Sequence, residues 1–465
     1  MTHTTRRDLV KNASALAATS LLQHLPYAAK PPNILLIICD QLSGGVLQDR
    51  STRDYLKVPN LDRLVSRSLS FTRAYAATPL CVPARTAIFT GTYPIQNGVE
   101  TNDPAQFDAQ RFPCLGRFVR SAGYETAYFG KWHLPYLQAD INKHGFETMG
   151  TSAKPNDTET ASLASRFLAR KHDQPFFCVA SFLEPHNICE WARGEALDQG
   201  EVGPPPPASQ LPPLRPNHAP QQNEPDAVRI ARASYQAARM FPVGKFSDIK
   251  WRQYEWAYYR MIELLDLQVG RVLDALEKAS LTSDTAVIFL SDHGDCQGAH
   301  NWNQKTVFYD ESSRVPLLLS YPRQISRGKS NTLVNTGLDL FPSICGFAKA
   351  TQPADLEGRR LTRLAQRTET QAKQDFVVVT NHLVQGAPVN GVKPQPRGRM
   401  LRTDRYKYVV YNEGNSRESL VDMVDDPGEM VNIAGLQTMQ PILQEHRRVL
   451  KKWGLAHQDK FPYIP

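Results

Sequence analysis

Cys81 stands between Pro79 and Pro83, and Arg85 follows it by four residues in "TPLCVPARTAIFTGTYP" (78–94). The two prolines fix φ and remove two amide donors, so this stretch cannot be an inner strand. Pro83 suits the first turn of a helix, and Thr90-Gly91 suits its end. Cys81 is therefore expected just ahead of a helix N-terminus. Local dipoles there favour negative charge, and Arg85 lies one turn on. The plainer alternative is a cysteine packed in a tight loop. Further titratable groups recur along the chain: Asp40, Lys131 with His133, His186, and Asp292 with His293.

Each of these groups ends or closely follows an apolar run. "PNILLIICDQ" (32–41), the run ending at "GKWH" (130–133), "QPFFCVASFLEPH" (174–186) and "DTAVIFLSDHGD" (284–295) read as buried strands. Between them lie helical patterns, among them Ile262, Leu265, Val269, Val272, Leu273 and Leu276 at helical spacing. This alternation predicts an α/β domain with a largely parallel sheet. Ligands bind beyond the carboxyl ends of such strands, so four strand ends carrying polar groups point to one site. After the polar stretch 351–374 the pattern changes. "DFVVVTNHLV", "GRMLRTDRYKYVVYN" and "ESLVDMVDD" predict a small antiparallel C-terminal subdomain, with a last helix near 439–453. The expected division is a targeting segment 1–29, a catalytic domain 30–374 and a C-terminal α+β subdomain 375–465. The proline-rich 203–225 is expected as an extended surface loop at the rim of the site.

A chain of 465 residues with 41% hydrophobic and 22% charged content is long enough to bury a large core without disulfides. Seven cysteines at scattered positions form no CxxC or zinc spacing. Cys39 and Cys178 are expected in the core. The formal net charge is +8, and removal of 1–29, which carries Arg6, Arg7 and Lys11 against Asp8, leaves +6. That balance suits an anionic substrate, while the absence of a basic stripe argues against nucleic acid. Arg6-Arg7 followed by Leu9, Lys11 and an alanine-rich run resembles a bacterial twin-arginine (Tat) signal. An amphipathic N-terminal helix is the alternative. No other stretch has ~18 uninterrupted apolar residues, so no membrane span is expected.

Taken in order, these residues resemble a known family. "CVPAR" (81–85) matches the C-x-P-x-R signature of type I sulfatases, within the alkaline phosphatase superfamily. Asp40, "GKWH", "EPH" (184–186), "SDHGD" (291–295), Lys305 in "HNWNQK", and the C-terminal "RYKYV" and "DPGEMVNIA" follow the family's order. The resemblance covers roughly 32–435 and is nearest in style to bacterial enzymes similar to iduronate-2-sulfatase and choline-sulfatase. It implies an alkaline-phosphatase-like fold: a large mixed, mostly parallel sheet flanked by helices, with a small antiparallel C-terminal subdomain. It also implies oxidation of Cys81 to formylglycine (3-oxoalanine) by a maturation enzyme that reads the unfolded chain. One hydroxyl of the hydrated aldehyde would attack sulfur, and the other would allow sulfate to be eliminated.

By the same resemblance Asp40, Gln41, Asp292, His293 and the modified Cys81 ligate a divalent metal, and Arg85 holds the diol. Lys131 and Lys305 bind sulfate oxygens. His133 serves as a base, and His186 with Lys305 donates to the leaving oxygen. His300 is expected either to touch substrate or to cap its loop. Singly, each has a plainer reading as a turn, core or solvated residue.

The chain departs from the family pattern at Gln41, where many members carry a second aspartate, and at Ala84, where serine is common. Hard oxygen ligands favour calcium, while the imidazole of His293 admits manganese or zinc. The expected reaction is hydrolysis of a sulfuric ester in a sulfated carbohydrate, by an enzyme exported by the Tat translocase to the periplasm or beyond. Arg397, Arg399, Arg402 and Arg405 are expected to flank a sugar subsite, unless they are simply solvated. Two alternatives stand beside this reading. One is a phosphonate monoester or phosphodiester hydrolase on the same fold, and the other a non-catalytic polyanion-binding protein with unmodified Cys81.

Overall fold

The computed structural model describes residues 31–103, 106–152, 154–365 and 376–464. The expected signal segment 1–29 lies outside these residues, as does part of the 351–374 stretch. Strands β1 (Asn33–Cys39), β2 (Leu69–Tyr75), β3 (Glu125–Lys131), β4 (Thr148–Ser152), β5 (Phe176–Ser181) and β6 (Thr285–Ser291) carry the apolar runs. With β7 (Arg314–Val315), β8 (Leu317–Ser320) and β9 (Gly328–Asn335) they build a nine-stranded sheet. Its order is β4-β3-β5-β1-β6-β8-β2-β7, with β9 on β2. The β4-β3-β5-β1-β6 half is parallel throughout. On the other half, β8 runs antiparallel to both β6 and β2.

Central strand β1 shows why its sequence is a continuous apolar run. Alternate side chains point to opposite faces, and both faces are covered. Leu35, Ile37 and Cys39 pack with Cys178 and with Ile262, Leu265 and Val269 of the long helix Asp248–Lys278. Ile34, Leu36 and Ile38 pack on the other face with Phe89 and with Leu340 and Ile344 of helix Thr336–Ala348. Full burial of each such side chain contributes ~1.5–3 kcal/mol. All seven cysteines are free thiols, and none bridges another.

The C-terminal residues form a second, four-stranded sheet from β10 (Phe376–His382), β11 (Arg397–Thr403), β12 (Tyr406–Tyr411) and β13 (Glu418–Asp422). Every pairing in it is antiparallel. The last helix spans Gln440–Ala456. This sheet is joined to the main sheet by buried polar contacts. Thr380 N–H donates to the Ala77 carbonyl (3.0 Å), and Lys407 Nζ donates to Asp310 (2.5 Å) and to Glu429 (2.8 Å). Among the described residues no helix is long and apolar enough to cross a membrane.

Proline-rich 203–225 departs from the expected free surface loop. Residues 204–210 are largely exposed, but Leu211, Pro212, Asn217 and Gln221 are buried. Arg215 reaches Gln297 (3.1 Å) and Glu255 (2.9 Å), while the Asn217 carbonyl accepts from His300 N–H (2.7 Å). Further along, Gln222 bridges to Val431. Specific polar contacts therefore strap this segment to the 297–311 loop and to the C-terminal sheet's tail.

Candidate active site

Strands β3, β5, β1 and β6 lie side by side and parallel, so their carboxyl ends share one edge. Asp40 follows β1, Lys131 closes β3, Ser181 closes β5 with His186 beyond it, and Asp292-His293 follow β6. Two glycines permit this convergence. At Gly130, with φ +95, a Cβ would lie 2.0 Å from the Ser181 carbonyl, so only glycine lets β3 deliver Lys131 so close to β5. At Gly294 a Cβ would meet the Glu311 carbonyl at 1.9 Å.

Helix Cys81–Thr90 closes the site from the other side. It begins at Cys81 itself, one residue earlier than expected, with extended Leu80 as N-cap and left-handed Gly91 (φ 70) as C-cap. The Asn102 side chain accepts from the Val82 N–H (3.0 Å), satisfying a donor the helix start leaves open. Arg85, fully buried, is the hub. Its Nε donates to Asp292 Oδ2 (2.7 Å), one terminal nitrogen to Ser181 Oγ (2.8 Å), and the other to Asp40 Oδ2 (3.3 Å). Lys131 Nζ also donates to Asp40 Oδ2, at 2.5 Å.

The two outer carboxylate oxygens are thus taken by cations, and the Oδ1 atoms face inward. His293 Nε2 lies 3.6 Å from Asp40 Oδ1, 3.7 Å from Asp292 Oδ1 and 3.1 Å from Cys81 Sγ. His293 Nδ1 is 3.0 Å from the Gly294 carbonyl, so the Nδ1–H donates there and Nε2 points into the group. Asp40, Cys81, Asp292 and His293 each offer one ligand atom within 4.8 Å of the others, and all four are buried. Two close carboxylates, an imidazole lone pair and the group at 81 fit a divalent cation.

The electrostatics are those of an anion receptor. Burial alone would raise the Asp40 carboxyl, but Lys131, His186, His293 and Arg85 together hold it well below its usual range. Burial and Asp40 push the Cys81 thiol up, yet Lys305, His293 and Lys131 outweigh them and hold it well below the ordinary thiol value. Burial would lower Arg85, but Asp292 and Asp40 keep it firmly charged. Burial, Lys305 and Lys131 lower the His186 ring against the pull of Asp40. Cys81 is only 2% exposed, whereas the His186 side chain is 23% exposed and marks the solvent side. Other clefts lie elsewhere. One of about 370 Å³, beside Gly91 and His457, sits at the far end of the signature helix and holds no such grouping.

Lys305 enters through Gln41. Its Nζ donates to Gln41 Oε1 (2.6 Å), and Gln41 Nε2 donates to Asp295 Oδ2 (2.7 Å). The side-chain oxygen of Gln41, expected among the metal ligands, accepts from Lys305 in this arrangement. His133 adopts a left-handed backbone (φ 43), and its buried Nδ1 has no hydrogen-bond partner among the described residues. His300 is drawn elsewhere, stacked on Tyr309 at 3.6 Å between ring centroids.

The arginine cluster does not form a sugar-facing patch. Arg399 is buried on Asp459 (2.7 and 3.0 Å), Arg402 is buried against Tyr75 (3.1 Å), and Arg405 pairs with Asp422 and Asp425. Sequence reasoning missed Ser181 and Asp295, although Asp295 stood in view within "SDHGD". It also missed Tyr254 and Tyr258, which brace Asp295 and the Gln41 carbonyl from the long helix.

Comparison with known proteins agrees with this geometry. Residues 32–350 match the Sulfatase family, and residues 298–454 match the C-terminal part of N-sulphoglucosamine sulphohydrolase. A Delta 4,5-hexuronate-2-O-sulfatase of Bacteroides thetaiotaomicron is 31% identical, over 93% of this chain and 91% of its own. An ulvan-active sulfatase of Formosa agariphila is 29% identical, over 92% of this chain and 82% of its own. A solved 2-O GAG sulfatase superposes with a TM-score of 0.77 at 29% identity, covering 94% of each chain. With this match over most of its length, and with the C-x-P-x-R motif, the carboxylate pair and the cations meeting at one sheet edge, the chain belongs to the sulfatase family.

Proposed function

We propose that this sulfatase removes a sulfate ester from a sulfated carbohydrate, with residue 81 acting as formylglycine after a maturation enzyme oxidises the Cys81 thiol. The observation that carries the reading is the convergence of three cations and an inward-facing ligand group on one buried cysteine. Asp40, Asp292, His293 and the group at 81 would hold a divalent cation, with calcium favoured by the oxygen ligands. Bound there, it would balance the carboxylates and polarise a sulfuryl oxygen. One hydroxyl of the hydrated aldehyde would attack sulfur as the substrate alcohol leaves; loss of the second hydroxyl's proton would then re-form the aldehyde as the carbon–oxygen bond to sulfate breaks.

The chain's own side chains do the rest. Arg85 fixes both carboxylates beside the diol it would hold. Lys131 and Lys305 offer ammonium donors to the sulfuryl oxygens as charge develops. His186, on the solvent side, hydrogen-bonds the leaving alcohol, and the Lys305 ammonium supplies positive charge beside it. His133 is assigned as base in the return step. The names of the hexuronate-2-O-sulfatase and ulvan-active relatives support a glycan as the alcohol.

Matured enzyme should be tested on sulfated oligosaccharides, choline sulfate, an aryl sulfate and an aryl phosphonate ester, with released sulfate or phenol as readout. A higher kcat/KM on a glycan is expected. A phosphonate turned over faster than every sulfate ester would overturn the substrate reading. Cys81→Ala should abolish turnover. Export by the Tat route rests on Arg6-Arg7 and is tested by replacing both with lysine, which should retain the protein inside the cell.

A further inference from the structure

We propose a second cation site on His186, Cys189 and Glu190 that takes zinc or a similar borderline-soft divalent ion. The turn after β5 and the short helix Ile188–Arg193 set these residues at i, i+3 and i+4, on one side of the chain. Each offers one ligand atom, and the three lie within 4.8 Å of one another. His186 Nδ1 and Glu190 Oε2 are 3.9 Å apart. Ligand atoms held at ~2.0–2.3 Å in a tetrahedral zinc site stand roughly 3.3–3.8 Å from each other, so the His186–Glu190 pair is already close to that spacing and the set would draw in by up to about 1 Å.

Glu190 gives the independent sign. Arg193 holds its Oε1 at 3.0 Å, but Oε2 is buried and has no hydrogen-bond partner among the described residues. Leaving a buried carboxylate oxygen unpaired is costly, and a cation at this point would satisfy it. Cys189 Sγ accepts from the Gln41 side-chain N–H at 3.4 Å and lies 3.7 Å from its oxygen, weak sulfur hydrogen bonds that a metal–thiolate bond would replace. The 23% exposure of the His186 side chain gives a path for entry.

Sulfur, nitrogen and one oxygen favour zinc, in contrast to the carboxylate-rich group around Asp40. Binding displaces the Cys189 thiol proton to solvent, and a water completes the fourth position. Because His186 is shared with the proposed reaction, zinc there would also inhibit turnover. That consequence rests on the proposed function, whereas binding does not.

The test is titration of full-length, matured, metal-loaded enzyme with CoCl2, followed by near-ultraviolet absorption, and with ZnCl2, followed by calorimetry. One equivalent beyond the resident ion is expected, with a thiolate-to-cobalt charge-transfer band. Cys189→Ser should remove the band and weaken zinc by about a hundredfold or more. Glu190→Gln should weaken zinc by at least tenfold, and it carries the test should the serine variant not fold. Cys81→Ala should keep the band. A band lost in Cys81→Ala but kept in Cys189→Ser, or no second equivalent in the wild type, overturns the site. Zinc bound through Cys189 with turnover undiminished supports the site and removes His186 from the reaction.

Discussion

Arg85 shows how much a single residue type decides. Its planar fork reaches Asp292, Ser181 and Asp40 at once, which an ammonium cannot reproduce. Arg85→Lys should keep the buried charge but lose the alignment of both carboxylates. We expect kcat to fall about a hundredfold or more, read in steady-state kinetics with a melting curve run in parallel; near-wild-type turnover would show that the fork is dispensable. His300 makes a different prediction. Burial lowers its ring to about 4 against the pull of Glu311, with Lys407 and Arg232 acting in the same direction as burial. An unfolded histidine titrates near ~6.5, so between the two values the unfolded chain binds the extra proton. The stabilisation is complete above about pH 6.5 and is lost as pH falls towards about 4. It amounts to roughly 3 kcal/mol. Chemical denaturation of wild type and His300→Gln across that window should show the acid-side slope shrinking in the variant. Asp40, Asp292 and His293 were legible because they sit at the ends of apolar runs. Ser181, the burial of Arg399 and Arg402, and the orphaned oxygen of Glu190 were not, because each depends on a partner distant in the chain.

At the scale of elements, the parallel strands were readable because a strand covered on both faces is apolar throughout, as β1 is. The C-terminal strands were readable from their turn residues and alternation. The strap at 211–225 was not, since prolines signal an absence of periodicity and say nothing of what the chain is tied to. Delivery of Lys131 depends on the close approach of β3 to β5 at Gly130. Gly130→Ala puts a methyl group within 2.0 Å of the Ser181 carbonyl and demands a left-handed alanine. We expect a loss of roughly 3 kcal/mol or more in denaturant unfolding, with turnover falling further than the folded fraction does. Unchanged activity in the folded variant would mean that Lys131 is placed by other contacts.

The whole molecule is held by an ionic clamp as well as by its apolar cores. Lys407 joins Asp310 of the main domain to Glu429, and Asn381 of β10 donates to the Thr306 carbonyl (2.5 Å), next to Lys305. Thr306 itself has φ 75, a strained value for a β-branched residue, so the backbone beside Lys305 is held in place from the C-terminal sheet. Lys407→Met leaves buried Glu429 without its cation, while Asp310 keeps Arg314 at 2.9 Å, and a loss of roughly 3 kcal/mol is expected by chemical denaturation. A difference under 1 kcal/mol would assign the docking to packing alone.

The strand order also carries a clock. Strand β6 lies beside β1 at the centre of the sheet, and His293, 3.1 Å from the Cys81 sulfur, is 212 residues further along the chain. Lys305 comes later still. At a synthesis rate of ~5–20 residues per second, Cys81 leaves the ribosome roughly 10–40 seconds before the residues that will enclose it. For that interval the C-x-P-x-R segment has no finished pocket to hide in. Any enzyme that must reach the thiol can act during translation, before the sheet closes over it.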